Sequence, residues 1–428
     1  MIQSVVNAFR LPDLRRKILF TFLILGIYRL AAHVPMPGVD RDALSRLFQN
    51  NQLLGMLDLL SGGAMSNFSV VAMGVYPYVT ATIVMQLITP IFPQLKELAK
   101  EGEAGRQKLN LYTHLLTVPM AALQALGQAA ILTRSNPPVL TNFGFTADHW
   151  LPTVATLFTL TAGTMFAMWL GELITQDGVG QGLSIIILGG IVAQVPQRVG
   201  QLLGSNVFGL IAFLAVAVVT VVAIVVIQEG QRRIPVHYGK RVRGTRVFGG
   251  QTSYVPMRVN QAGMIPLIFA QSILILPGVI AQYFTVSDNP TVSSIASGIA
   301  TTFSTQSTVY WLMYFLMVIG FTYMYTNIVF QQQNLPETLQ KQGGFVPGIR
   351  PGKRTEEYLN AVLSRITLVG AVFLGLVALL PWILRDITET NVMVITSTGL
   401  LIVVGVVLDT MKQLEAQLLM RQYEGFIK

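Results

Sequence analysis

The side chains that most often catalyse reactions or bind metals occur in this chain without the spacing that such sites need. There is no cysteine, so disulfides, thiolate metal sites and thiol nucleophiles are excluded. The sequence contains no HExxH and no GxSxG, and EGEAGR lacks the GKS or GKT ending of a phosphate-binding loop. The 4 histidines show no zinc-ligand spacing; they are His33, His114, His149 and His237. The sequence therefore argues against an enzyme and predicts no cofactor.

The elements that would position any site in this chain are membrane helices. Of the 428 residues, 52% are hydrophobic and 11% are charged, whereas soluble domains carry about 25% charged residues. A bilayer core about 30 Å thick needs about 20 apolar residues in a helix, because lipid offers the backbone no hydrogen-bond partner. The sequence predicts about ten spans, at residues 18–34, 70–92, 111–133, 151–174, 182–199, 207–228, 262–284, 309–330, 358–384 and 392–411.

The basic residues support this count, since alternate loops of a membrane protein should be rich in Lys and Arg. One set of loops holds most of them, and the other set holds only Arg29, Arg41, Arg46, Arg134, Arg198 and Arg385. The basic set then faces the cytoplasm together with both termini. Dividing the chain after the fifth span gives halves at 1–200 and 201–428 that enter the membrane from opposite sides, which permits an inverted repeat.

Ionisable residues in the predicted spans lie toward the span ends, where long side chains can reach the interface; they are Arg29, Glu172, Arg198, Glu229, Arg365 and Asp409. An ion-coupled transporter normally keeps such residues at mid-depth. A transporter of a small polar solute stays open as an alternative, because Gly and Pro interrupt the spans near Pro77 and Pro266. A membrane scaffold with no transport path is a third hypothesis.

Two predicted cytoplasmic loops, at about 229–258 and 331–357, are unusually long and basic. The first alternates Val, Tyr, Phe and Thr with basic residues around Gly, as a β-hairpin would. The charge could serve only topology and attraction to anionic lipid headgroups. A docking surface for an acidic cytosolic partner or for ribosomal RNA explains it better. The candidate contacts are Arg232, Arg233, Lys240, Arg241, Arg243, Arg246, Arg350, Lys353 and Arg354, of which Arg246 and Arg350 are the first choices.

The stretch SGGAMSNFSVVAMG, from Ser61 to Gly74, is too polar to cross a bilayer and too apolar for a solvated loop. An irregular segment can lie at membrane depth only where protein or an aqueous cavity surrounds it. An amphipathic helix on the outer surface is the alternative. The later motif GVGQG, from Gly178 to Gly182, follows no strand, and we interpret it as a hinge before a helix rather than as a dinucleotide site.

Four motifs together identify a resemblance that covers essentially the whole chain. They are GVYPYVTATIVMQL, WLGELITQDGVGQGLSIII, NQAGMIPLIFAQS and GGFVPGIRPGKRT. In this order they resemble the SecY family, the channel subunits of bacterial protein translocases. The resemblance implies an all-α polytopic membrane protein with ten transmembrane helices in two pseudosymmetric inverted halves of five. It also implies an hourglass pore, a short plug helix and a lateral gate that opens to lipid.

The resemblance assigns three groups of residues. A plug at about 57–70 includes Gly62, Gly63, Ala64, Ser66, Asn67, Phe68 and Ser69. A pore ring consists of Val79, Ile83, Leu183, Ile187, Ile268 and Ile402; at any single one of these positions, ordinary helix packing is the plain alternative. A lateral gate includes Thr80, Gln86, Asn260 and Gln271, although Thr80 could simply bond to its own helix. An aliphatic ring can seal by dewetting and still deform around a passing chain.

The resemblance also implies what the protein does and with what. It implies a passive channel of the bacterial cytoplasmic membrane that passes unfolded preproteins across and releases transmembrane segments laterally into lipid. The implied partners are the small membrane subunits SecE and SecG, the SecA motor or a translating ribosome, signal sequences and membrane lipids. Because no part of the chain is expected to hydrolyse a nucleotide, the driving force would come from the motor or the ribosome.

Overall fold

Long helices make up most of the protein. The computed structural model describes residues 11–50, 58, 61, 63–134, 138–140, 143–144, 149–205, 207–238, 241–243, 246–248, 252–285, 289–304, 307–333, 335–388 and 397–427. The helices in the first half of the chain are α1 (Pro12–Ala32), α2 (Arg41–Asn50), α3 (Tyr76–Ile88), α4 (Pro93–Lys100), α5 (Glu103–Arg134), α6 (Trp150–Asp177), α7 (Gly182–Ser205) and α8 (Val207–Glu229). The later helices are α9 (Ile265–Phe284), α10 (Pro290–Thr302), α11 (Thr308–Gln333), α12 (Leu335–Lys341), α13 (Lys353–Thr388) and α14 (Ser397–Ile427).

Five short strands follow α8 and α12. They are β1 (Gln231–Tyr238), β2 (Arg241–Arg243), β3 (Arg246–Phe248), β4 (Thr252–Arg258) and β5 (Gly344–Phe345). Strands β4, β1 and β5 form one antiparallel sheet in that order, and β2 pairs with β3 in a second. The pairing of β1 with β4 confirms the hairpin that alternating residues predict in the first basic loop.

A helix overlaps each of the predicted spans, but the second span differs at both ends. Residues 70–75 form turns, and α3 runs only from Tyr76 to Ile88. Gly74 has a φ of 51°, which a right-handed helix does not allow, and Pro77 occupies the first turn of α3, where its missing N–H costs nothing. The chain then bends by 105° into α4. The helical part of this span is therefore shorter than a bilayer crossing requires.

Among the described residues, 4 helices are long and apolar enough to cross a membrane, or 5 if α3 and α4 are counted as one bent span. The four are α5, α6, α11 continued into α12, and the 353–380 part of α13. Shorter apolar helices occur at 182–196, 213–229 and 265–274. Length and composition thus give several membrane-spanning helices, as the sequence predicts.

The chain packs into two compact units. The first unit comprises Met1–Phe213, Ser272–Tyr310 and Thr390–Lys428, and the second comprises Leu214–Gln271 and Trp311–Glu389. A core of the first unit gathers α2, the turns after residue 63, α5 and α6, with Leu44, Phe68 and Leu160 fully buried. A core of the second unit lies between the β1–β4–β5 sheet and α11, α12 and α13. The division into inverted halves at residue 200 concerns topology and stays a prediction.

The GVGQG motif forms the turn between α6 and α7. The N–H of Val179 donates to Thr21 Oγ1 of α1 at 3.1 Å. A Cβ on Gly178 would lie 2.6 Å from that same oxygen, so only glycine allows this approach. Gly180 has a φ of 84°, which also favours glycine. Because Val179 further packs with Leu14 and Leu414, the motif ties the first and last helices of the first unit to this turn.

Candidate functional site

Most of the residues from Gly63 to Val75 are buried even though they are not helical, whereas Ser66 and Asn67 are exposed. Ala64, Phe68, Ser69 and Ala72 are fully buried in the first unit. Of the predicted plug, Asp58 has helical backbone, and Ser61 and residues 63–70 form turns with a β-bridge at Ser69. Residues 57, 59 and 60 and Gly62 lie outside the described residues, so the short plug helix that the resemblance implies stays a prediction. Gly63 and Phe68 adopt positive φ values of 82° and 39°, and such conformations interrupt a helix.

Hydrogen bonds within the protein satisfy the backbone of these turns. Phe68 N–H donates to the Met65 carbonyl at 2.9 Å, and Ser69 donates to the Ala64 carbonyl through its N–H at 3.1 Å and its Oγ at 3.2 Å. Non-helical backbone at membrane depth requires such internal partners, because lipid supplies none. The described turns are therefore held by partners within the protein, with Ser66 and Asn67 exposed, and they do not form the helix that the interfacial alternative predicts.

The end of α1 and the residues after it hold the same turns from a second side. The hydroxyl of Tyr28 donates to the Ser61 carbonyl at 2.7 Å. Val70 N–H donates to the Val34 carbonyl at 3.1 Å, and Met36 N–H donates to the Phe68 carbonyl at 3.0 Å. A short antiparallel bridge between Pro35 and Ser69 thus joins the residues that follow α1 to these turns. We call Asp58, Ser61 and the turns from Gly63 to Val75 the turn segment.

The predicted ring residues occupy helices of both units. Val79 and Ile83 lie one turn apart on α3, and Leu183 and Ile187 lie one turn apart on α7. A Cβ on Gly171 of α6 would lie 2.6 Å from Leu183 Cδ2, so the absence of a side chain there lets Leu183 lie against α6. All six ring residues are buried or half-buried. Five belong to the first unit, with Ile402 on α14, and Ile268 of α9 belongs to the second.

The predicted gate residues are polar groups in apolar surroundings. Thr80 Oγ1 donates to the Pro77 carbonyl at 2.8 Å and accepts a hydrogen bond from Gln124 Nε2 of α5 at 2.9 Å. Thr80 therefore bonds both to its own helix and to another one. Asn260 Nδ2 donates to the Gly263 carbonyl at 3.2 Å, and Gln271 is buried. Within the described part of the chain, the buried Oε1 atoms of Gln86 and Gln124 have no hydrogen-bond partner.

The two basic loops meet in one sheet of the second unit. Strand β1 comes from the first loop and β5 from the second, and His237 pairs with Phe345 across them. Ile234 and Val236 point to the apolar core, while Arg232 and Arg233 are exposed. We call this surface the basic platform; it comprises β1, β4, β5 and the turn from Val346 to Lys353.

Arg350 stands in that turn with its side chain exposed. Its carbonyl accepts a hydrogen bond from Thr355 Oγ1 at 3.0 Å, so the backbone is fixed from α13. Lys353 and Arg354 follow as exposed residues at the start of α13. Arg241, Arg243 and Arg246 lie on β2 and β3, and the structure describes their backbone only; Lys240 lies outside the described residues. The exposed charges described here surround one compact sheet.

Comparison with known proteins identifies the family. The family model for SecY matches residues 69–411. A protein translocase subunit SecY of Thermotoga maritima is 41% identical over 437 residues, which cover 100% of this chain and 98% of that protein. A protein translocase subunit SecY of Halalkalibacterium halodurans is 43% identical over 442 residues, which cover 100% of both chains. The chain belongs to the SecY family. The resemblance that the four motifs carry is thereby confirmed.

Solved structures show that the chain has the SecY fold. A protein-conducting channel matches with a TM-score of 0.62 at 16% identity, covering 94% of this chain and 92% of that one. A SecY structure whose plug domain stabilises the closed state of the translocation channel also matches with a TM-score of 0.62 at 16% identity, covering 94% of this chain and 92% of that one. The channel in a canine ribosome–channel complex matches with a TM-score of 0.59 at 16% identity over 94% and 92% of the two chains. These matches confirm the predicted polytopic membrane fold, which is mostly helical.

The structure also pairs residues of this SecY-family chain that sequence reasoning did not connect. Asp58 accepts a hydrogen bond from Gln194 Nε2 at 2.9 Å, across 136 positions of sequence. His114 Nε2 of α5 lies 2.8 Å from Glu172 Oε1 of α6, so Glu172 has a partner within the protein. A lone acidic residue in the apolar run MLDLL was the one available signal for Asp58.

Proposed function

We propose that this SecY-family chain forms the protein-conducting channel of a bacterial translocase. It passes unfolded preproteins across the cytoplasmic membrane and releases transmembrane segments laterally into lipid. The observation that carries the proposal is the match over the full length of the chain to translocase subunits. The fold shared with protein-conducting channels supports it. In this proposal the ten helices form two inverted halves, and both termini face the cytoplasm.

The proposed pore ring consists of aliphatic side chains. Val79, Ile83, Leu183, Ile187, Ile268 and Ile402 would line the narrowest part of the path. A ring of this kind excludes water and ions by dewetting, and it offers no fixed charge or hydrogen bond that would select one passing sequence over another. The i, i+4 spacing of the pairs on α3 and α7 supports a common direction for each pair.

The proposed plug is the segment at about 57–70. Its burial and its internal hydrogen bonds support a seal that is folded against the protein rather than solvated. Deleting residues 67–71 is expected to raise the resting ion conductance in planar bilayers, because the segment that fills the path is shortened. An unchanged conductance would remove the plug role.

The proposed lateral gate lies between α3 and α9, with the third and eighth spans, α5 and α11, behind them. Interhelical polar contacts in membranes contribute only about 0.6 kcal/mol on average, so polar latches that Thr80, Gln86, Asn260 or Gln271 would make across this seam can open when a signal sequence binds. The hydrogen bond between Thr80 and Gln124 joins α3 to α5, on one side of the seam. The chain has no native cysteine, so a disulfide between one cysteine introduced in α3 and one in α9 can be assigned without ambiguity. Export should stop when that disulfide forms and resume on reduction.

The proposed cytosolic partners bind the basic platform. We propose the SecA motor or a translating ribosome there, and the SecE and SecG subunits within the membrane. The exposed Arg and Lys side chains support a partner of opposite charge, such as an acidic protein surface or RNA phosphates. A structural relative binds a ribosome. Because these partners supply the work, the chain itself acts as a passive pore and not as an enzyme.

Crosslinking of a stalled nascent chain tests the proposed function directly. A photoreactive residue at Ile83 should crosslink to a translocating chain, because Ile83 is placed in the pore ring. The matched control is Val219 of α8, an aliphatic residue whose side chain is 69% exposed on the outside of an apolar helix. Equal crosslinking at both positions, or crosslinking at neither, would contradict a polypeptide path past α3 and would favour a small-solute transporter or a scaffold.

A further inference from the structure

Asp58 is a buried carboxylate to which the proposed ring, plug and gate assign no role. The residue is 5% exposed. Oδ1 accepts a hydrogen bond from the Ser66 N–H at 2.8 Å, and Oδ2 accepts one from Gln194 Nε2 of α7 at 2.9 Å. The Asp58 carbonyl accepts from the Gly63 N–H at 2.8 Å and from Ser61 Oγ at 3.0 Å. One residue thus closes the turn on itself and joins it to α7.

The opposite side of the same turn is fixed by α1. Tyr28 donates to the Ser61 carbonyl at 2.7 Å, and Ser61 Oγ accepts from the Met65 N–H at 3.1 Å. Tyr28 and Ser61 are both buried. The turn is therefore held by Tyr28 of α1 on one side and by Gln194 of α7 on the other. On the α7 side the hydrogen-bond acceptor is the charged carboxylate of Asp58. Hydrogen bonds to a charged group are roughly twice as strong as neutral ones.

Gly63 explains why the amide of Gln194 can reach Asp58. A Cβ on Gly63 would lie 2.7 Å from Gln194 Nε2, which is too close for any other residue unless the amide moves. The φ of Gly63 is 82°, so a side chain would also strain the backbone. The guanidinium of Arg29 lies beside the same spot, 3.5 Å from that Cβ position. The glycine thus serves the contact with Gln194 as well as the turn.

Gln194 lies on the stripe of α7 that carries two proposed ring residues. Leu183, Ile187 and Gln194 follow an i, i+4, i+11 spacing, which keeps all three near one face of a helix. At 1.5 Å per residue, the amide of Gln194 is about 10 Å along the axis from Ile187. A displacement of α7 at the ring therefore moves Gln194 with it.

We propose that Asp58 and Gln194 form a clamp that holds the turn from Ser61 to Ser69 in the closed channel, and that α7 opens the clamp when a chain passes Leu183 and Ile187. Asp58 is a positioning residue in this scheme, and the scheme rests on the proposed pore and plug. A buried carboxylate that loses a donor is strongly disfavoured unless water reaches it. The clamp should therefore open together with the plug, so that the carboxylate passes from protein donors to water.

The Gln194→Glu variant tests the clamp, because it places two carboxylates at the 2.9 Å contact. The resting conductance of the channel, purified with its membrane subunits and fused into planar bilayers, should rise about tenfold, the size expected for losing one charged hydrogen bond. The matched control is Gln181→Glu. Gln181 precedes the same helix, is exposed, and keeps an acceptor for the Ser184 hydroxyl after the change. Gln181→Glu should leave the conductance at the wild-type value.

A swap separates the clamp from a general loss of structure. In the double variant Asp58→Asn with Gln194→Glu, the amide introduced at position 58 can still accept from the Ser66 N–H and can donate to the carboxylate introduced at position 194. This double variant should bring the conductance back to within about twofold of wild type, because both hydrogen bonds are restored with the same total charge. A damaged fold would not be repaired by a second substitution.

A single introduced cysteine reports the plug position independently of current. Ala64→Cys places the only thiol of the chain at a residue with 0% exposure. An impermeant methanethiosulfonate should label it slowly in the wild-type background, about tenfold faster with Gln194→Glu, and slowly again in the swap. The clamp would be overturned if Gln194→Glu showed the conductance and the labelling rate of the wild type. It would also be overturned if the double variant failed to return both quantities to the wild-type range. If deleting 67–71 itself leaves the conductance unchanged, the plug role fails instead.

Discussion

The turn segment of the first unit and the basic platform of the second both concentrate polar groups in a mostly apolar chain, but they use them in opposite ways. In the turn segment Ser61, Ser69 and Asp58 are buried, and partners within the protein satisfy them. On the platform Arg233 and Arg350 are exposed around a sheet whose other face is apolar. Buried polar groups hold one conformation, whereas exposed charges remain available to another molecule.

This difference predicts two kinds of mutational effect. A change in the turn segment should alter the resting channel, with no partner present, because its hydrogen bonds are internal. A change on the platform should act only when a cytosolic partner is engaged. Platform effects should also weaken with salt, since exposed charges are screened beyond a distance of about 10 Å at 0.1 M ionic strength. Four substitutions, from the largest expected effect to the smallest, test this contrast and the pore ring.

Arg350→Glu should lower protein export by about tenfold or more, because a reversed contact charge repels the partner it would attract. Resting conductance and the amount of protein in the membrane should stay at wild-type values. The control is Lys341→Glu, an exposed charge on α12 whose Nζ lies 2.9 Å from Glu337 of the same helix. Normal export in Arg350→Glu would remove this residue from the contact surface.

Gly163→Ala should destabilise the turn segment, because Gly163 of α6 packs directly against it. A Cβ on Gly163 of α6 would overlap the carbonyl of Val70, so the backbone must move. We expect a loss of about 1–3 kcal/mol of unfolding free energy, as for overpacked cores, together with a higher resting conductance. Gly127→Ala in α5 is the matched control, because a Cβ there meets nothing within 4 Å and should add up to about 1 kcal/mol of helix stability. Thermal unfolding in detergent compares them, and equal shifts would contradict the close contact.

Ile402→Asn should relax signal-sequence selectivity, so that a reporter with a defective signal sequence is exported several-fold more. Ile402 is 2% exposed in the first unit, and an amide there weakens an apolar seal. Val407→Asn on the same helix, at a residue that is 46% exposed, is the control and should keep wild-type stringency. If Ile402→Asn also keeps full stringency, Ile402 does not line the pore.

Thr355→Val should have the smallest effect. It removes the hydrogen bond from Thr355 Oγ1 to the Arg350 carbonyl, a contribution of about 1 kcal/mol. The turn that carries Arg350 should be cut faster by protease, and export should fall about twofold because Arg350 is held less well. An unchanged cleavage rate would show that Thr355 does not fix this turn.

The sequence predicts helices and membrane class well because both depend on local properties. The overlap of a helix with each predicted span follows from apolar length, which is set by bilayer thickness. The second span shows the limit of this argument. Residues 70–75 are apolar enough for a span, yet Gly74 and the turns before it delay the start of α3 until Tyr76. Hydropathy does not register the backbone conformation that a buried turn requires.

The sequence by itself determined the class of protein, the approximate spans, the hairpin of the first basic loop and, through four motifs, membership of the SecY family. Only the tertiary structure decided that β1 and β5, which come from two different loops, pair in one sheet. It also decided that Asp58 meets Gln194 and that Thr80 meets Gln124. Apolar periodicity depends on residues that are neighbours in the sequence, so it can be read from the sequence. A hydrogen bond between distant residues forms only once the helices have packed.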